Sequence, residues 1–156
     1  MVFFSLLAAF LLVVADQLTK LWAYNGLRLN GTQPIIQDVL HLTYYENTGA
    51  AFSILTGKTT LLAVVTGIVI LAAIYCMITR KIEGKLLNSC VALIISGGVG
   101  NLIDRVFRGY VIDFIDFRLI NFPVFNVADI CVVIGTGLMM IYFLFIEGKS
   151  SENQSK

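Results

Sequence analysis

Four stretches of the chain are apolar at nearly every position, and polar residues gather at their ends and in the connectors between them. The runs cover residues 2–24, 59–79, 86–103 and 127–146, each near the ~20 residues a helix needs to cross the hydrocarbon of a bilayer. The first run has no Lys or Arg ahead of its core, is too long for a signal-peptide core and ends in no A-x-A site, so it reads as a retained transmembrane helix. Within the first long connector, Asn25 to Lys58, the segments Gln33 to Asp38 and Leu40 to Glu46 carry the β-branched and aromatic content of strands. The pattern predicts a mainly α membrane protein, one domain over residues 1–156, with four transmembrane helices and a small β-containing extracytoplasmic platform. Residues 147–156 are expected to form a disordered polar tail.

Composition agrees: 58% of residues are hydrophobic and 13% charged, against about 25% charged in soluble domains. A net charge of +1 without any basic run excludes a nucleic-acid partner. Cys76, Cys90 and Cys131 are scattered in apolar sequence and read as small buried hydrophobes. The only histidine, His41, is expected to be a polar loop residue, so a zinc site lacks ligands and no metal or other cofactor is expected. Lys and Arg divide five to the turn and tail (Arg80, Lys81, Lys85, Lys149, Lys156) and six to the other side, so a bare count does not orient the chain. The density of Arg80, Lys81 and Lys85 in one short turn does, since short loops are where the positive-inside rule acts. That turn and both termini are expected in the cytoplasm.

Candidate chemistry resides in the six aspartates. Asp16, Asp104, Asp113, Asp116 and Asp129 all border the same ends of the spans, with Asp38 in the first outer loop. No acid sits mid-span, so the pattern favours a site at the outer interface over a proton path through the membrane. Each has a plainer reading. Asp16 and Lys20, four apart on one helix face, could neutralise one another; Asp104 and Arg105 could be interfacial charges. Asp129, three residues after Asn126, fits the first turn of a capped helix. Asp113 and Asp116 interrupt an apolar stretch but could belong to a solvated edge strand. If two of these carboxylates converge on one water, one stays protonated as acid while the other activates the water, which is peptide hydrolysis without a metal. A serine mechanism lacks a base near Ser96, HExxH is absent, and Gly98-Val99-Gly100-Asn101 ends in Asn where a GxGD protease needs Asp.

Five segments in order carry a family resemblance: Asp16-Gln17-Leu18-Thr19-Lys20; Glu46-Asn47-Thr48-Gly49-Ala50-Ala51-Phe52; Gly97-Gly98-Val99-Gly100-Asn101-Leu102-Ile103-Asp104-Arg105; Val111-Ile112-Asp113-Phe114; and Phe125-Asn126-Val127-Ala128-Asp129. Together they resemble the bacterial lipoprotein signal peptidases, or signal peptidases II, over nearly the whole chain. The resemblance implies a cell-membrane aspartyl endopeptidase that cuts prolipoproteins just before their diacylglyceryl-modified cysteine. It places the catalytic dyad on Asp113 and Asp129 and substrate contacts on Asn47, Gly49, Asn101, Arg105 and Asn126. Asp16, Lys20 and Asp104 become supporting residues, and Asp116 is outside the dyad. Lipid-modified prolipoproteins and membrane lipids are the implied partners, and a monomer is compatible with this reading. Two roles stay open for Arg105: holding a phospholipid-like or carbonyl group, or fixing a carboxylate by a two-pronged contact. Asn47 to Ser53, with Gly49, Ala50 and Ala51, is a candidate lid.

Two rival classes fit the composition. A small transporter or channel subunit would use Asp16 and Lys20 in a polar path and pass solute in liposomes. A non-catalytic assembly factor would use the small residues of the third span to hold a partner.

Overall fold

A computed structural model describes residues 2–50 and 54–147. Its helices are α1 (Val2–Gly26), α2 (Thr59–Ile78), α3 (Lys85–Phe107) and α4 (Val127–Tyr142), the last continuing as a π-helical turn, Phe143–Glu147. All four apolar segments are long enough to span a membrane. Their outward faces, such as Phe3, Phe10, Leu61, Ile68, Val133 and Ile141, are exposed apolar side chains. Such a surface suits lipid, where the backbone must be satisfied within each helix. α3 begins one residue before the expected third run and ends four after it. α3 continues to Phe107, so Asp104 and Arg105 are helical residues within the bundle rather than the start of a connector.

α3 is the hub, with α1, α2 and α4 all packed on it. The reason lies in its small residues. A Cβ on Gly97 would collide with the Ala128 carbonyl of α4, and one on Gly100 would stand 2.5 Å from an Asp16 carboxylate oxygen of α1. On α4, a Cβ at Gly135 would lie 2.8 Å from the Cys90 carbonyl. Lipid supplies no hydrophobic drive for helices to associate, so close backbone approach at small residues carries the packing.

A three-stranded antiparallel sheet in the order β1-β2-β3 sits at the bundle end formed by the C-termini of α1 and α3 and the N-terminus of α4. Its strands are Gln33–Ile36, Leu40–Asn47 and Val111–Phe117. The first two were legible from β-branched content. The third was open between strand and alternatives, and it is buried rather than a solvated edge, with Ile112 and Phe114 packed on Ala23 and Leu27 at the end of α1. Its edge is partly covered by Phe125, whose carbonyl accepts from the Phe114 and Ile115 amides at 3.0 and 2.8 Å. That contact sets the start of α4 beside Asp113.

His41 is not a loop residue. It lies in β2, 4% exposed and opposite Asp116 in register, because strand alternation at this end turns it onto the covered face of the sheet. Residues 148–156, most of the expected tail, lie outside the described residues.

Gly97→Ala should force α3 and α4 apart. We expect a lower thermal midpoint in detergent, equivalent to about 1–3 kcal/mol, whereas Gly137→Ala, with open space around its α-carbon, should leave it near the parent. An unchanged midpoint for Gly97→Ala would contradict the close α3–α4 contact.

Candidate active site

A groove of about 770 Å³ lies over α3 between α2 and α4 and runs beneath the sheet. Its walls are mostly apolar, with Val69, Ile70 and Ala73 from α2, Ile94 and Ile95 from α3, and Ile130, Val133 and Ile134 from α4. Among its described lining residues the only acids are Asp113 and Asp129, and the only base is Arg105. Asp16, Asp104 and Asp116 do not line it, so tertiary structure separates two carboxylates from a group that spacing could not divide.

Each of the two is held by amides. Asn126 is the N-cap of α4: its Oδ1 accepts from the Asp129 amide at 2.9 Å, and Asp129 Oδ2 accepts from the Asn126 amide at 3.1 Å. This reciprocal capping box fixes the Asp129 rotamer. Asn101 Nδ2 donates to the other oxygen, Asp129 Oδ1, at 2.8 Å. Asp113, on β3, accepts from Asn126 Nδ2 at 2.6 Å and from Asn47 Nδ2 at 2.9 Å. Asn47, Asn101 and Asn126 were expected to meet substrate; here their amides engage the two carboxylates. The capping reading of Asp129 is also correct and coexists with its place in the groove.

Burial first, and the neighbouring Asp129 second, push the Asp113 carboxyl up to about 7, although hydrogen bonds from Asn47 and Asn126 and the charge of Lys20 pull the other way. Asp116 behaves oppositely. Burial pushes it up, but hydrogen bonds from Arg118 and Thr43, at 2.8 Å each, outweigh that and hold it below the ordinary carboxylate range.

Beneath the groove lies a sealed ionic cluster. Lys20 Nζ, with no solvent exposure, reaches Asp16 at 2.9 Å, Asp104 at 3.1 Å and Asn101 Oδ1 at 2.8 Å. The simple Asp16–Lys20 pair read from the spacing exists, but it is one side of a three-helix junction. Asp16 also accepts from the Ala128 amide of α4 at 2.9 Å, and Asp104 from the Ile112 amide of β3 at 3.1 Å. Asp104 is therefore no interfacial charge. Asp16, Lys20 and Asp104 are buried and paired with one another, which does not favour the transporter reading.

Arg105 donates to the Gly49 carbonyl at 2.9 Å and, among the described residues, forms no ion pair with a carboxylate. The carbonyl it holds is the chain's own, which is neither of the two roles left open for it. Gly49 in turn donates to Asn47 Oδ1 at 2.9 Å. Residues 51–53 of the candidate lid lie outside the described residues. Sequence reading missed Gln17, whose amide donates to the Gly100 carbonyl at 3.1 Å; its place beside Asp16 was the available signal. It also missed the apolar groove walls on α2 and α4, which look like any lipid-facing residue in a sequence.

Residues 8–145 match the family model described as signal peptidase (SPase) II. The chain belongs to the signal peptidase II family. Lipoprotein signal peptidases of Clostridioides difficile (strain 630) and Caldanaerobacter subterraneus subsp. tengcongensis are 46% and 48% identical to it. The alignments cover 93% and 83% of this chain, and 97% and 90% of those relatives. Two solved structures of a bacterial membrane enzyme, obtained in meso at 2.3 and 1.9 Å resolution, superpose with TM-scores of 0.84 and 0.81. Both are 35% identical; the first covers 90% of this chain and 87% of its own, the second 91% and 93%. The chain is thus a multi-pass bacterial membrane protein and a hydrolase of an aspartic peptidase family, in keeping with a groove whose described acids are two aspartates.

Two outcomes follow for stability. Asp113 binds its proton more tightly folded than unfolded, so its contribution is fully present below its ordinary value of 3.8 and is lost as pH rises through about 7. The thermal midpoint of Asp113→Asn should accordingly fall less than the parent's between pH 4 and 7; parallel profiles would show that Asp113 is not shifted. Lys20→Met leaves the buried Asp16 carboxylate without its ion pair and Asp104 with Arg108 alone, at 3.2 Å; we expect a loss of about 3–5 kcal/mol measured as a lowered unfolding midpoint, whereas an unaffected midpoint would mean that Lys20 does not hold the junction.

Proposed function

We propose that Asp113 and Asp129 are the catalytic pair and that they cleave prolipoproteins just before the diacylglyceryl-modified cysteine. The observation that carries this reading is that these two are the acids of the apolar groove, each oxygen of each carboxylate receiving an amide or backbone N–H. A carboxyl near 7 beside a second carboxylate supports a division of labour in which Asp113 enters protonated and Asp129 ionised. Asp129 takes a proton from the attacking water while Asp113 donates a hydrogen bond to the scissile carbonyl and then its proton towards the leaving amine. The amides of Asn47, Asn101 and Asn126 aim the carboxylates without adding charge that would force both to ionise.

The groove's apolar walls suit a substrate that brings two acyl chains and an apolar signal helix, with its cleavage site at headgroup depth. Arg105, bound to the Gly49 carbonyl, is placed to hold a backbone carbonyl or to steady the segment after Asn47 when substrate enters. The three basic residues of the turn between α2 and α3 support a cytoplasmic turn and cytoplasmic termini, which puts the groove and sheet at the outer face.

Purified protein in nanodiscs, given a lipid-modified precursor in the presence of EDTA and read by gel shift, tests this. Asp113→Asn and Asp129→Asn should each lose at least ~100-fold in rate, while Asp116→Asn stays active. The rate should follow a bell-shaped pH profile whose alkaline limb lies near 7, where Asp113 loses its proton. Full activity in either dyad variant, or a rate that climbs steadily past neutrality, would remove the assignment.

A further inference from the structure

At the other end of the bundle is a second hollow, of about 530 Å³ and open on one side, framed by the turn between α2 and α3, the first turns of α3 and the last turn of α4. Its apolar lining includes Leu87, Val91 and Met139, and its polar lining residues are Lys81, Glu83 and Tyr142. Asp129 and Tyr142 are thirteen residues apart on α4, which places the cavity roughly 20 Å along the helix from the aspartate pair. It plays no part in the proposed cleavage.

The turn that frames it is fixed in place. Asn88, buried at the start of α3, donates to the Gly84 carbonyl at 2.8 Å and to the Ile82 carbonyl at 3.2 Å. The Lys81 amide closes on the Cys76 carbonyl at 2.9 Å, and Arg80 and Gly84 take positive φ values of 55° and 86°. Lys81 Nζ stands 5.0 Å from the centre of the Tyr75 ring and, among the described residues, forms no ion pair. A cation–π contact at an exposed ring is weak, so this ammonium remains free to take an anion. Arg80, Lys81 and Lys85 face only Glu83 within the turn, leaving it two positive charges in excess.

An apolar floor with a cationic rim, at the depth where spanning helices end, matches one molecule type. We propose that this cavity holds an anionic glycerophospholipid, its acyl chains on Leu87, Val91 and Met139 and its phosphate at Lys81, with headgroup hydroxyls available to the Glu83 carboxylate. A lipid seated here would brace α4 against the turn where its hydrogen bonding changes to the π form.

The test uses the full-length protein stripped of lipid in detergent and titrated with phosphatidylglycerol, phosphatidylethanolamine or phosphatidylcholine, with bound lipid counted by native mass spectrometry. One equivalent of phosphatidylglycerol should be retained over phosphatidylcholine. Lys81→Gln should weaken that retention about fivefold, the scale of one basic residue at an anionic lipid surface, and Lys81→Arg should restore most of it. Met139→Trp, which fills the cavity without changing charge, should weaken it as well, whereas Lys58→Gln at the opposite end should not. Cleavage of a detergent-solubilised precursor by Lys81→Gln at the parent rate confirms that this variant folds. Equal retention of the three lipids, or a Lys81→Gln variant that binds phosphatidylglycerol as the parent does, would overturn the proposal.

Discussion

The buried ammonium of Lys20 is the contact on which the site's geometry rests. Removing a charge from water costs several kcal/mol unless it is fully paired, and Lys20 is paired by Asp16, Asp104 and Asn101. Each partner reaches onward. Asp16 holds the first turn of α4 through Ala128, Asp104 holds β3 through Ile112, and Asn101 holds Asp129. A single side chain on α1 thus fixes the two elements that carry Asp113 and Asp129 relative to α3. Gly100 belongs to the same junction, since any larger residue would displace the Asp16 carboxylate.

A peptidase built this way meets a conflict between anchoring and chemistry. Two carboxylates must lie close in an apolar groove, which raises the free energy of ionising both. Neutral amides resolve it. Asn126 touches both aspartates, donating to Asp113 through its side chain and to Asp129 through its backbone. It thereby sets their spacing without supplying a counter-charge. Positive charge lies near without an ion pair to either aspartate among the described residues: Lys20 stands behind Asn101, and Arg105 lines the same groove.

The two aspartates of β3 show how location outweighs identity. Asp113 and Asp116 sit three residues apart in one apolar stretch, yet strand alternation sends them to opposite faces. Asp113 enters the groove and is pushed up to about 7, while Asp116 meets Arg118 and Thr43 on the covered face and is held low. His41 shares that second face, opposite Asp116.

Hydrophobic runs alone determined the four spans, because crossing a bilayer demands about 20 apolar residues whatever the neighbouring helices do. β-Branched content marked the first two strands, and the five ordered motifs were specific enough to bring the family into view. The sequence could not by itself rank Asp113 and Asp129 above Asp16, Asp104 and Asp116, since all five border the same span ends and charge patterns carry no depth. That ranking came from tertiary structure: which carboxylates the groove receives, which Lys20 seals away, and which face of β3 each side chain takes. The same holds for His41, whose burial follows from its strand register, and for Asn47, Asn101 and Asn126, whose roles exist only once α3, α4 and the sheet meet. Contacts between residues 25 to 112 positions apart have no local signature, because they depend on how helices approach and not on what any segment prefers.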